Sequence, residues 1–289
     1  MRLLELLRKS TEYLEQNGID DALSEAEMLV FHAVTMDRLD AYIDNPEIRS
    51  ADSAKVRRLL QRRIKGEPVQ YIIGHIEFLG LCIRVGKGVL IPRPETELLV
   101  EEVISAVSGQ QSAVSSKTAK SLSLLDLCTG SGCIALSLAR EFPDAEVYGT
   151  DLSKEALAYA RKNAKANNIK NTCFSQGSLF QPVKGKRFDI ITANPPYIRR
   201  DEIETLQREV RDWEPVAALD GGMDGMDFYR AILSSAGGFL KPNGFIFLEL
   251  GYDQAEGVQK IARAEGFREA TVINDYAGIG RILVATQVG

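Results

Sequence analysis

Residues 122–135 read LSLLDLCTGSGCIA, and the passage from apolar run to glycine turn to apolar helix in this stretch decides the fold. An apolar strand over 122–127 breaks into Cys128-Thr129-Gly130-Ser131-Gly132, and a helix begins at once. So tight a turn needs residues without Cβ where the backbone approaches a ligand, and the helix N-terminus offers it free N–H groups. Alone, Gly-x-Gly is a weak signal, because many doubly wound proteins use it only to bring helix against strand. The second landmark strengthens it. The next apolar run, AEVYGTD, ends at Asp151, 19 residues beyond Gly132, where a carboxylate can accept both hydroxyls of a ribose. Loop and acid together predict a site for an adenosine-containing ligand.

Working outward, strands and helices alternate after residue 121: LSLLDL, helix, AEVYGTD, helix, TCFSQG, FDIITAN, a helical stretch, GFIFLEL, helix, then ATVIND and RILVATQV. This alternation predicts an α/β fold with a doubly wound, mainly parallel, Rossmann-like sheet. The last two runs are joined only by 276–280, short enough for a hairpin, so one strand is expected to be antiparallel. Upstream, residues 1–74 carry apolar positions at helical spacing, such as Leu3, Leu7 and Leu14 and then Val56, Leu59, Leu60 and Ile64. They predict a small helical domain. Residues 75–91 turn to short β-prone runs punctuated by Gly80, Gly86 and Gly88, read as a β-hairpin linker, and 92–289 form the catalytic domain. Pro92 and Pro94 precede a helix expected from Glu95 to Val107, followed by a serine-rich, flexible connection up to Ser123. Residues 55–65 hold six basic residues and no acid, which fits a solvated helix face or a docking face.

Of the 289 residues, 45% are apolar and 26% charged, values that exclude a mostly disordered chain. A net charge of −5 argues against long nucleic acid, whose phosphates select a basic excess. Cys82, Cys128, Cys133 and Cys173 are too irregularly spaced for zinc knuckles and read as reduced thiols of a cytoplasmic protein. Glu5, Arg8 and Lys9 interrupt the N-terminal apolar run before a secretory segment can form, and nothing later reaches the ~18 uncharged residues of a membrane span. Neither export nor membrane insertion is expected.

The chemistry is expected at Asn194-Pro195-Pro196-Tyr197, on the carboxyl edge of the fourth strand, where ligands of such sheets bind. Two successive prolines delete two backbone N–H groups and leave carbonyls, while Asn194 adds a side-chain carbonyl. Such a turn is rich in acceptors and suits a planar NH2 group. Holding both hydrogens, on Asn194 and on the Pro195 carbonyl, resists conjugation of the nitrogen and frees its lone pair for attack. Tyr197 would set an aromatic face beside the amide or the electron-poor methyl group. Gly130, Gly132 and Ala135 also satisfy a dinucleotide fingerprint, but His32 and His75, the only histidines, both precede the nucleotide fold. That shortage of acid–base groups disfavours a dehydrogenase.

With these motifs in view, the chain resembles class I S-adenosylmethionine-dependent methyltransferases acting on planar NH2 groups. More narrowly, GEPVQYI at 66–72, IPRPETE at 91–97, Glu214-Pro215 and DYAGIGR at 275–281 are similar to the HemK/PrmC family. Its members methylate the glutamine of the Gly-Gly-Gln motif in peptide chain release factors. The resemblance implies that Cys128, Thr129, Gly130, Ser131, Gly132 and Asp151 bind S-adenosylmethionine, with S-adenosylhomocysteine as product, and that Leu179 lies by the adenine. It also implies that Asn194, Pro195, Pro196 and Tyr197 hold the glutamine, with Asn194, Pro195 and Tyr197 as the catalytic set and Asn194 near both ligands. No metal is required. The expected partner is a release factor, met by the helical domain of a monomer, with no stable nucleic acid or membrane involved. Two departures stand out. Cys128 replaces a glycine common in such loops, so a negative φ is expected there, and Ser178 occupies an often acidic position. Glu95, Thr96 and Glu97 fit either a pocket wall or ordinary helix-start chemistry. The rival readings are methylation of an exocyclic amino group of a nucleic-acid base, and a silent ribosome-binding adaptor.

Overall fold

Leu3, Leu14, Ala26, Leu29 and Val30 are wholly withdrawn from solvent, and they define the core of an N-terminal helical unit. The computed structural model describes residues 1–34, 36, 38–113 and 122–286. It divides into two units, Met1–His75 with Gln207–Trp213, and Ile76–Leu206 with Glu214–Gly289. In the first, α1 (Leu3–Gln16), α2 (Ala22–Val34), α3 (Arg38–Asp44), α4 (Ser50–Arg63) and α5 (Val69–Ile73) turn their apolar stripes inward. The short helix Arg208–Trp213, which sequence spacing placed with the catalytic domain, belongs to this unit. Charge explains it. Arg63 on α4 is 5% exposed, and its guanidinium engages Glu25, at 2.5 and 3.0 Å, and Glu209 of the short helix. A buried cation is tolerated only when its charge is met. Arg62 is likewise tied to Glu67 at 2.7 Å, so among the described residues Arg57 and Arg58 are the arginines of the basic run that are exposed with no ion pair.

The second unit opens with a hairpin, β1 (His75–Phe78) and β2 (Leu81–Arg84), turning at Leu79 and Gly80 with φ of 45° and 71°. Sequence reading set 75–91 apart as a linker, but only eight of these residues are strand, and they pack within this unit. α6 (Glu95–Ala113) runs past Val107, because 108–113 continue the helical hydrogen bonding; the rest of the serine-rich connection, 114–121, lies outside the described residues.

Then come β3 (Ser123–Leu127), α7 (Cys133–Glu141), β4 (Glu146–Asp151), α8 (Lys154–Ala166), β5 (Thr172–Gln176) and β6 (Phe188–Ala193). The short helix already described is α9, and α10 (Asp227–Ala236), β7 (Leu240–Glu249), α11 (Ala255–Ala264), β8 (Glu269–Asn274) and β9 (Gly280–Thr286) complete the fold. Seven strands form one sheet in the order β5-β4-β3-β6-β7-β9-β8. All neighbours are parallel except β9, which runs antiparallel to both β7 and β8, as the short 276–280 connection predicts. Asn163 on α8 and Asn167, which caps its C-terminus, each bond both the N–H and the carbonyl of a β2 residue, Arg84 and Cys82 respectively, at 2.8–3.2 Å. The two amides imitate a strand and satisfy the hairpin's edge.

Candidate active site

β3 is the point where the order of the sheet reverses, with β4 on one side and β6 on the other. Its register places Leu127 level with Thr150 and with Ala193. The residues that follow, Cys128, Asp151 and Asn194, therefore leave the sheet side by side at its carboxyl edge, where the crevice of such sheets opens. A cavity of about 480 Å³ lies there. Cys128, Thr129, Gly130, Ser131, Asp151, Leu179 and Asn194 all line it, together with Ser178 and Pro196.

The loop is drawn together by two carboxylates. Asp151 Oδ2 accepts the Gly130 N–H at 2.9 Å, and its Oδ1 accepts the Ser153 N–H at 2.8 Å. Asp126, buried at the end of β3, accepts the hydroxyls of Thr129 at 2.6 Å and Thr192 at 2.9 Å. Loss of hydration raises both carboxyls, that of Asp126 to about 7. The two glycines do different work. At Gly130, with φ 56°, an added Cβ meets nothing nearer than the Cys128 carbonyl at 3.9 Å, so its bare face is room for a ligand to approach. At Gly132, with φ 82°, an added Cβ would stand 3.1 Å from the Ala160 Cβ. Gly132 does not line the cavity; it lets α7 lie against α8.

Cys128 corrects an expectation. Its φ is 55°, in the left-handed region, not the negative value expected of a residue with a side chain. Leu179 has φ 43°. Each costs on the order of 1–2 kcal/mol of backbone strain. Surrounding bonds compensate: Thr129 N–H donates to the Thr150 carbonyl at 3.0 Å, and Thr150 Oγ1 to the Leu179 carbonyl at 2.9 Å. Thus the two strained residues are braced by one threonine on β4. Burial also pushes the Cys128 thiol up, which keeps it uncharged in the cavity wall.

In the second motif, Asn194 Nδ2 donates to Thr96 Oγ1 at 3.1 Å. Pro195 and Pro196 are buried, and only Pro196 borders the cavity. Tyr197 does not line it; half-buried, it packs against the core of the sheet, its carbonyl takes the Gln254 amide at 2.8 Å, and burial beside Glu249 pushes its hydroxyl up to about 12. The open alternative at 95–97 resolves by residue. Thr96 is 1% exposed and borders the cavity, while Glu97 accepts the Leu79 N–H at 3.0 Å and holds the hairpin. Two other motifs prove to be one clamp: Glu214 accepts the Arg93 guanidinium at 2.6 Å and the Ile91 N–H at 3.0 Å, and Asp275 likewise accepts Arg281 at 2.9 Å.

Glu249, the last residue of β7, escaped sequence reading. It is 2% exposed, its Oε2 has no hydrogen-bond partner among the described residues, and burial raises it to about 7 against the lowering effect of the nearby Thr96 hydroxyl. Inside GFIFLEL it reads as a strand-end acid, and its only available signal was a lone carboxylate at the end of an otherwise apolar central strand.

The residues fit an S-adenosyl ligand: the bare Gly130 face leaves space, and Asp151 keeps acceptor lone pairs beyond its two backbone donors. Comparison with known proteins agrees in kind. The family described as PrmC N-terminal domain matches residues 5–74, and that described as Methyltransferase small domain matches 111–211. The release factor glutamine methyltransferase of Thermodesulfovibrio yellowstonii is 46% identical over 262 residues, covering 91% of each chain. That of Geobacter sulfurreducens is 42% identical over 276 residues, covering 94% of this chain and 92% of its own. A methyltransferase structure from Pyrococcus furiosus, 19% identical, shares the fold with a TM-score of 0.54 over 82% of this chain and 98% of that one. Among the described residues, no helix is long and apolar enough to cross a membrane.

Proposed function

The chain belongs to the release factor glutamine methyltransferase family, and from that premise we propose that the cavity beside β3 holds S-adenosylmethionine next to a glutamine presented on the Asn194 turn. The reaction is methylation of a release factor glutamine, and the residue in question is that of the Gly-Gly-Gln motif. The observation that carries the reading is the row of Cys128, Asp151 and Asn194 on three adjacent strand ends around one cavity.

Cys128, Thr129, Gly130 and Ser131 form the backbone cradle, with Gly132 behind them as the packing residue that lets helix α7 start where it does. Asp151 accepts the ribose hydroxyls, and Leu179 flanks the adenine. S-adenosylmethionine supplies an electrophilic methyl group when bound and leaves as S-adenosylhomocysteine. The rest is positioning by this chain. An amide nitrogen is a poor nucleophile because its lone pair is delocalised, and the turn counters this with acceptors alone: Asn194 Oδ1 and the Pro195 carbonyl take the two N–H hydrogens and fix the nitrogen's orientation. Pro195 and Pro196 bring no N–H of their own to compete. Orientation of this kind is worth roughly 7–11 kcal/mol in favourable cases. The Tyr197 ring, packed against the core of the sheet and outside the cavity lining, supports the turn from behind.

The partner is a release factor, and the helical domain of 1–74 docks it. A small flexible loop offers too little surface for one glutamine to be chosen among all others. Reduced cysteines and an acidic charge balance fit a cytoplasmic monomer that retains no nucleic acid. The experiment is methyl incorporation from labelled S-adenosylmethionine into a purified release factor, with the site read by mass spectrometry. Label on the Gly-Gly-Gln glutamine is expected. Label found only in nuclease-sensitive material, or none in the release factor, overturns the reading.

A further inference from the structure

Gln254 is a polar side chain only 2% exposed, at the position before α11 where a short side chain usually caps a helix, yet its amide makes no cap bond. It reaches instead across three loops at the carboxyl edge of the sheet. Its Nε2 donates to the Tyr197 carbonyl at 2.8 Å and to the Gly225 carbonyl at 3.3 Å, and its Oε1 accepts the Gly251 N–H at 3.1 Å. These partners fix which way the amide points, because a main-chain carbonyl can only accept and a main-chain N–H can only donate. The backbone of Gln254 is itself held, its N–H on the Gly251 carbonyl at 3.1 Å and its carbonyl under the Val258 N–H at 2.9 Å. The loops crowd onto the amide: a Cβ added at Gly225 would stand 2.5 Å from Gln254 Nε2 and still nearer the Tyr197 carbonyl oxygen.

What this network does follows from what the Asn194 turn lacks. Pro195 and Pro196 have no N–H with which to anchor themselves, and the acceptors of Asn194 and Pro195 are committed to the substrate. The turn must therefore be held by a donor brought to a carbonyl outside that pair, and the Gln254 amide brings one to Tyr197, just past the prolines. Arg199 and Asp253, 2.6 Å apart, join the same two segments, but both are partly exposed and such pairs contribute little. We propose that Gln254 is a positioning residue that holds the acceptor turn where the substrate amide nitrogen must be oriented. Gln254 does not line the cavity, so it acts only through the turn. This rests on the role given to the Asn194 turn above, and the assay separates the two: if the unaltered chain does not methylate the release factor, that reading fails, whereas the positioning role fails only in the comparison of variants.

The test uses the full chain below its melting temperature, with kcat at saturating substrates divided by the number of S-adenosylmethionine sites counted by calorimetry. Gln254→Met, similar in length and without a donor, should lower kcat per site by about ten- to hundredfold, the scale of a displacement of about 1 Å at a reacting group. The loss should be the same on an intact release factor and on a short Gly-Gly-Gln peptide, with cofactor Kd unchanged and KM for the intact factor changed less than kcat. Gln254→Glu, when protonated, offers a donor to Tyr197 and an acceptor to Gly251. Burial against two carbonyls raises the pKa of that carboxyl, so its kcat relative to the unaltered chain should recover as the pH is lowered, while that of Gln254→Met stays low. A merely structural role lowers the number of binding sites and leaves kcat per site alone. Unaltered kcat per site in Gln254→Met, no recovery of Gln254→Glu at low pH, or loss of S-adenosylmethionine binding in both variants overturns the proposal.

Discussion

Asp151→Ala tests the cofactor site, and the geometry makes it a perturbation with two separable effects. The carboxylate takes the Gly130 and Ser153 N–H groups at 2.9 and 2.8 Å, so it shapes the loop before any ligand arrives. Removing it strips both donors of their acceptor. Because Asp151 is only half-buried, water reaches part of the gap, and the loss of stability should sit near about 1–3 kcal/mol. Loss of the two ribose hydroxyl contacts to a charged acceptor adds at least ~1.5–3 kcal/mol to the binding free energy, a factor of roughly 10 to 150 in Kd. Calorimetric titration with S-adenosylmethionine well below the melting temperature reads the second effect, and melting without ligand reads the first. Asp151 binds as a carboxylate, and burial raises its pKa. Affinity should therefore fall as pH drops toward that raised value, sooner than for an ordinary aspartate, and the variant should lack this dependence. A variant that melts lower but binds with unchanged Kd would refute the ribose contact and leave Asp151 as a loop brace alone.

Gly132→Ala should destabilise the chain by about 2–4 kcal/mol, through overpacking against Ala160 added to the strain of an alanine at φ 82°, whereas Gly130→Ala should carry only that backbone strain, about 1–2 kcal/mol, and weaken S-adenosylmethionine binding strongly; binding weakened equally by both would contradict the division of labour. Asn194→Ala should lower kcat by ~100 to 1,000-fold, and Tyr197→Phe should keep far more activity than Tyr197→Ala, so equal loss in both tyrosine variants points to the hydroxyl. Glu249, raised from 4.5 to about 7, binds its proton more tightly in the fold than in the unfolded chain. Its favourable contribution is complete below pH 4.5 and lost as pH rises through 7, so in urea titrations the stability of the unaltered chain relative to Glu249→Gln should fall by about 2–3 kcal/mol between pH 5 and pH 8; a flat difference denies the raised pKa. Charge reversal of Arg57 and Arg58 should raise KM for an intact release factor and flatten its salt dependence while sparing a short Gly-Gly-Gln peptide, and unchanged KM removes this face from docking.

How much was legible beforehand varied with the range of the interaction concerned. Periodicity and connection length are local, so the alternation after residue 121 and the short 276–280 connection were enough for a mainly parallel sheet with one reversed strand. The acceptor-rich chemistry of Asn194-Pro195-Pro196 is likewise a property of the covalent chain, since a proline has no N–H in any fold. Register was not legible. That Leu127 stands level with both Thr150 and Ala193, and so delivers Cys128, Asp151 and Asn194 to one edge, depends on pairing between strands 23 to 66 residues apart. The left-handed Cys128 escaped prediction because a residue's φ there is decided by bonds from β4 that outweigh its own steric preference. Arg63 looked like surface charge and is buried, because Glu25 and Glu209, distant in sequence, meet it. Glu249 carried no motif at all. A strand-end carboxylate becomes an unhydrated one, raised to about 7, only when the elements packed against β7 close over it, and that enclosure is a property of tertiary packing alone.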